Sequence, residues 1–189
     1  MRLINFRKIG LIFIFLLISS SAFALRSRKD YFLNPQVGLW FGPITPVYHT
    51  RDDVDTDLGI GLFFRHNFFW KPLKIGLDAS YQPYESKGIN ELTLIPVYGN
   101  FLYLLPLDLP VRFQLKAGSG GCYVKAMPDD HSQWDPLFMT GVEISFPAGR
   151  IVNIALRIDY LYIFEGYIDG ADYGGHVINT GISIYFNFN

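Results

Sequence analysis

Two short stretches carry residue types that could bind a cation or a polar partner. In HTRDDVDTD, His49 precedes Asp52, Asp53, Asp55 and Asp57, and in DDHSQWD the residues Asp129, Asp130, His131 and Asp135 surround Trp134. Carboxylates and an imidazole this close together are the donors that a divalent metal uses. The first stretch briefly resembles a calcium loop but fails its spacing. Counting Asp53 as position one puts Phe64 where the bidentate Glu belongs and places Gly59 one residue late. Both stretches therefore read as solvated loops whose His49, Asp52, Asp53, Asp129, Asp130, His131 and Trp134 are candidates for contact with a partner, and no metal or cofactor is expected. Cys122 is the sole cysteine, which excludes an intrachain disulfide and a cysteine-based metal framework.

A second set of charges is placed differently. RIVNIALRIDYLYIFEG, residues 150–166, carries Arg157 and Asp159 inside an apolar run. Split by parity, its even positions are Val152, Ile154, Leu156, Ile158, Tyr160, Tyr162 and Phe164, whereas the odd set holds Asn153, Arg157, Asp159 and Glu165. Alternation of period two marks a β-strand with one apolar and one polar face. The same rule applied along the chain gives eight strands, roughly 36–47, 57–67, 73–84, 92–104, 111–125, 136–146, 151–165 and 177–188. Their polar faces collect Asp57, Arg65, Lys74, Asp78, Arg112, Lys116, Glu143, Arg157 and Asp159. Strand four, TLIPVYGNFLYLL, is apolar at both parities; Ile95, Val97, Phe101 and Tyr103 are expected to face outward.

The chain around these strands has the composition of an exported membrane protein. Of its 189 residues 17% are aromatic and only 17% are charged, below the roughly 25% charge of an average soluble domain. Arg2, Arg7 and Lys8, then the apolar run Leu11 to Ile18, then Ala22-Phe23-Ala24 form a secretory signal with cleavage expected after Ala24, leaving 25–189 as one domain. No apolar run in 25–189 has the ~20 residues a spanning helix needs. The net charge of −1 excludes a strongly basic nucleic-acid binder.

Only helices and closed barrels pair every backbone group within a bilayer, so a charge-poor exported chain of eight alternating strands reads as an all-β, eight-stranded antiparallel transmembrane β-barrel. The connections alternate: HTRDDVDT, ESKGINE, MPDDHSQWD and GYIDGADYGGH are roomy, while FFWKP, PLDLP and PAGR are tight. Transmembrane barrels have longer extracellular loops and short periplasmic turns, which predicts both termini on the periplasmic side of a cell outer membrane. Aromatic girdles are expected from Phe68, Phe69, Trp70, Phe146, Phe186 and Phe188 at the tight-turn end, and from Tyr48, Tyr81, Tyr84, Tyr162, Phe164 and Tyr167 at the other.

The whole of 25–189, with its last strand INTGISIYFNF, resembles the small eight-stranded outer-membrane barrels, the group of the OmpA transmembrane domain, OmpX and OmpW. In that family the last strand ends in an aromatic residue read by the insertion machinery; here Phe188 is penultimate and Asn189 follows. The resemblance implies a monomer surrounded by outer-membrane lipid and lipopolysaccharide-type glycolipid, with no domain after strand eight and an extracellular ligand left unnamed. An interior of this width is filled by side chains, so inward charges of both signs should pair into a plugged core. A structural or surface-interaction role follows. The other readings are a narrow OmpW-like channel for small hydrophobic compounds and a lipid A-modifying enzyme. The deacylase of that group uses a His-x-Ser pair, but no histidine here has Ser two residues on, and His131-Ser132 is adjacent. The protein is not expected to be an enzyme.

Overall fold

Alternating side chains produce alternating burial along every strand. The computed structural model describes residues 34–70, 72–84, 91–107, 109–127, 131–149, 151–164 and 174–188. The expected signal segment, Asp129, Asp130, Glu165 and Tyr167 lie outside them. Eight strands, β1 (Gln36–Pro46), β2 (Asp57–Asn67), β3 (Leu73–Tyr84), β4 (Glu91–Leu104), β5 (Arg112–Met127), β6 (His131–Pro147), β7 (Val152–Ile163) and β8 (Gly175–Asn187), form a closed barrel in chain order. All neighbours are antiparallel, and β1 closes on β8 from Gln36↔Asn187 to Pro46↔Val177, so no sheet edge is left over along the body of the barrel. A single short helix, α1 (Thr50–Asp53), stands between β1 and β2. Among the described residues no helix is long and apolar enough to cross a membrane.

The two ends of the barrel differ. One, here the terminal rim, carries Gln36 and Asn187 with connections 68–72, 105–111 and 148–151; the other, the loop rim, carries 47–56, 85–90, 128–130 and 164–174. The expected alternation of loop length holds only in part. The connections at 47–56 and 164–174 are the longest, but that between β5 and β6 is three residues. The reason is that β6 begins at His131, five residues earlier than its sequence suggested. His131 pairs with Ala126 and Asp135 with Cys122, and Trp134 lies opposite Tyr123 with ring centroids 5.7 Å apart. A cross-strand aromatic pair stabilises a strand and outweighs the turn bias of the polar residues around it.

The outward positions form a continuous apolar band: Leu39 and Phe41 on β1, Ile60 and Leu62 on β2, Leu156 and Ile158 on β7, and Ile182 and Ile184 on β8 are all exposed. A band of this extent is far larger than a water-facing surface of a monomer carries and fits contact with hydrocarbon. Strand β4 faces Ile95, Val97, Phe101 and Tyr103 outward and buries Leu92, Leu94, Tyr98, Asn100 and Leu102. At the terminal rim Phe68 packs edge-on against Phe69 and Phe101. Tyr84, expected in the girdle at the loop rim, points inside instead, where its hydroxyl donates to Gln82 Oε1 at 3.1 Å. It shares the even parity of Asp78 and Gln82 on β3, and the pleat decides its side.

Candidate functional site

The inward parity of five strands converges on one cluster of charges at mid-barrel. Arg65 on β2 reaches Glu143 on β6 with both fork nitrogens, Nη1 to Oε1 at 2.8 Å and Nη2 to Oε2 at 2.6 Å. Lys116 on β5 bridges two carboxylates, its Nζ lying 2.5 Å from Asp159 Oδ1 and 3.7 Å from Glu143 Oε2. Arg157 on β7 donates through Nε to Asp159 Oδ2 at 2.6 Å and directs Nη1 and Nη2 at Asp78 Oδ1 on β3, each at 3.3 Å. Asn100 on β4 donates to the other oxygen of Asp78. Three cations thus meet three carboxylates, and all six side chains are buried.

Aromatic rings complete the shell. The Arg65 guanidinium sits 4.1 Å from the centroid of Phe63, and that of Arg157 sits 4.9 Å from the centroid of Trp40. Both contacts fall within cation–π range, which suits the weakly hydrated guanidinium better than an ammonium. Glycines make the room. A Cβ on Gly61 would collide with the Trp40 indole nitrogen, and one on Gly141 would collide with the Asp159 carboxylate.

The interior is layered. Toward the terminal rim the ionic layer is followed by Gln36, Gln114, Ser145, Asn153 and Asn187, with Gln36 Nε2 donating to Asn187 Oδ1 at 2.8 Å. Toward the loop rim it is followed by packed apolar side chains, among them Leu92, Leu94, Val124, Leu137, Met139, Leu161 and Ile163. Cys122 is buried in this upper layer.

Of the nine inward candidates, the structure brings six together. Lys74 is buried too, but near the terminal rim, where it donates to the Asn34 carbonyl at 2.8 Å. Arg112 and Asp57 do not join the network, because each begins its strand. Arg112 is half-buried at the terminal rim; Asp57 is half-buried at the loop rim, its carboxylate accepting the Leu58 N–H at 2.6 Å. The loop candidates are scattered. His49, exposed, precedes α1; Asp52 is exposed within it, and Asp53 ends that helix. His131 and Trp134 belong to β6, not to a loop, and Trp134 is 63% exposed. Among the described residues no group of three or more His, Cys, Asp or Glu could hold a metal ion.

Sequence reasoning missed His176. On the outward face of β8 its Nδ1 is 2.6 Å from the Tyr160 hydroxyl, and its ring packs against Tyr48 and Tyr162 at 5.0 and 4.9 Å. Its backbone ties down the β1–β2 connection: the N–H donates to Thr50 Oγ1 at 3.0 Å and the carbonyl accepts from Val47 N–H at 3.0 Å. The available signal was the even parity that His176 shares with Ile178 and Thr180 in its own strand.

Solved structures share this architecture. Neisserial surface protein A superposes with a TM-score of 0.59 at 12% identity, covering 82% of this chain and 97% of that one. The N-terminal β-barrel domain of Pseudomonas aeruginosa OprF gives 0.56 at 14% identity, covering 82% and 98%. The outer membrane protein OprG of the same organism gives 0.50 at 15%, covering 82% and 97%. No protein-family model and no curated protein matches the sequence. At these identities the likeness is one of fold, and it agrees with the closed eight-stranded barrel. The chain has the fold of the small eight-stranded outer-membrane β-barrels.

Proposed function

We propose that the protein is a closed outer-membrane barrel with a structural or surface-interaction role. In this reading residues 1–24 are removed on export and 25–189 form one barrel domain with periplasmic termini. The loop rim then faces outward amid lipopolysaccharide-type glycolipid, and the last strand, with Phe188, serves recognition by the insertion machinery. The observation that carries the reading is the balanced set Arg65, Lys116 and Arg157 against Glu143, Asp78 and Asp159 across the barrel. Breaking one such buried pair costs about 3–5 kcal/mol. A conduit for small hydrophobic compounds would have to displace the apolar side chains above the ionic layer as well. No enzymatic role is assigned.

Purified protein reconstituted in planar bilayers should give no discrete conductance, and clear, reproducible channels would refute the closed interior. On intact cells, surface protease should cut in the long β1–β2 connection at 47–56, and a heat-modifiable band in outer-membrane fractions should accompany it. Cutting only after the outer membrane is permeabilised would reverse the orientation.

A further inference from the structure

The β1–β2 connection folds back over a concave pocket of about 560 Å³ at the loop rim, lined by Thr45, Tyr48, Arg51, Asp55 and Thr56 above buried Val54. That volume lies within the about 300–1,000 Å³ of small-ligand pockets. At its edge Tyr48 has φ 56°, in the left-handed region where a bulky side chain is strained. The surroundings hold it there: the flanking Val47 N–H donates to the His176 carbonyl, the Tyr48 carbonyl accepts from Arg51 N–H at 3.2 Å, and the His176 ring meets it edge-on. The ring so held is 71% exposed. These contacts hold the backbone angle and leave most of the residue exposed at the pocket edge, where a ligand can stack on the ring.

The polar wall indicates which ligand. A guanidinium and a carboxylate lining one pocket, with two threonine hydroxyls, are donors and acceptors of the kind vicinal hydroxyl groups bind. The apolar C–H face of a pyranose ring fits an aromatic ring. Asp52, Asp55 and Asp57 outnumber Arg51 on this segment, and their field repels sulfated or phosphorylated chains. We infer that the pocket binds a neutral hexopyranose unit of a glycan, stacked on Tyr48 and hydrogen-bonded by Arg51 and Asp55. The inference rests on the outward-facing loop rim proposed above. The sugar could belong to the outer-leaflet glycolipid or to a foreign surface.

Saturation-transfer NMR on the barrel in phospholipid nanodiscs tests it with two probes: dephosphorylated oligosaccharide released from lipopolysaccharide, and lacto-N-tetraose. Transfer to either identifies the source, and dextran sulfate should not compete. Tyr48→Gly should keep heat-modifiable mobility, since glycine accepts the backbone angle, yet weaken binding at least about tenfold. Asp55→Asn, at an exposed position, should weaken it also. Absence of transfer from both probes, competition by dextran sulfate, or wild-type affinity in both variants overturns the site. Those results leave the orientation of the barrel standing, because surface protease reads that separately.

Discussion

Replacing Arg157 with Met should unbalance the interior by one charge. The variant loses the Nε bond to Asp159 at 2.6 Å, both 3.3 Å contacts to Asp78 and the stacking over Trp40. Asp159 keeps Lys116 at 2.5 Å, and Asp78 keeps the amide of Asn100, so two cations then face three carboxylates in a buried space. Removing one member of such a network costs about 3–5 kcal/mol, because the remaining charge stays buried without a counter-charge. Asp78→Asn leaves Arg157 bonded to Asp159 and should cost less. In the double variant Arg157→Met with Asp78→Asn, two cations meet two carboxylates, and a coupling of about 1–3 kcal/mol should be recovered relative to the sum of the singles. The assay is reversible urea unfolding of the barrel in vesicles of one lipid composition, followed by tryptophan fluorescence and checked by gel mobility. Added salt should change the result little, since buried pairs are weakly screened. A loss below about 1 kcal/mol for Arg157→Met, or additivity of the two substitutions within about 0.5 kcal/mol, would refute the network as a coupled unit.

The outward face of the same strand should behave oppositely. Leu156, 50% exposed and set between Ile144 and Ile182, should tolerate Ala but not Arg, and Leu156→Arg should cost about 2–4 kcal/mol in the same vesicle assay if it lies at the bilayer midplane. A wild-type midpoint would move the hydrocarbon belt elsewhere. Cys122 is wholly buried in the upper layer, so a maleimide polymer should leave it unmodified in the folded barrel and label it once urea unfolds the protein. Prompt labelling of the folded form would show that the loop-side interior is open.

Parity made much of the barrel legible. It sorts Arg157 and Asp159 from Leu156 and Ile158 before any contact is known, since a strand has only two faces. The starts and stops of strands were less legible, because His131 to Asp135 has loop composition and becomes strand only through its pairing with Cys122 to Ala126. Parity put Asp78, Glu143, Lys116 and Arg112 within the candidate neighbours of Arg157 and Asp159 but left open which inward charge meets which. Arg65 and Glu143 are 78 positions apart and Arg157 and Asp78 are 79 apart, and their meeting depends on how the register steps around the closed barrel. The Tyr160–His176 contact needs only the pairing register of the adjacent strands β7 and β8, 16 positions apart in the chain. Asp57 and Arg112 have the right parity and the wrong height, a coordinate that alternation does not carry.

Height also decides what the interior can do. The ionic layer has amides and hydroxyls on the terminal side and packed Leu, Ile, Val and Met on the loop side. The apolar layer excludes water, which strengthens each ion pair and raises the cost of leaving a charge unmatched. An ion crossing the barrel would therefore meet two obstacles of different kinds: it would have to take a counter-ion from a paired side chain, and then pass a largely apolar segment whose buried Ser80, Gln82 and Tyr84 are already hydrogen-bonded to one another. Removing one obstacle leaves the other in place. That is why Arg157→Met is expected to weaken the fold without opening a path: the loss of a guanidinium hydrates the middle of the barrel and leaves Leu94, Leu137 and Leu161 closed above it.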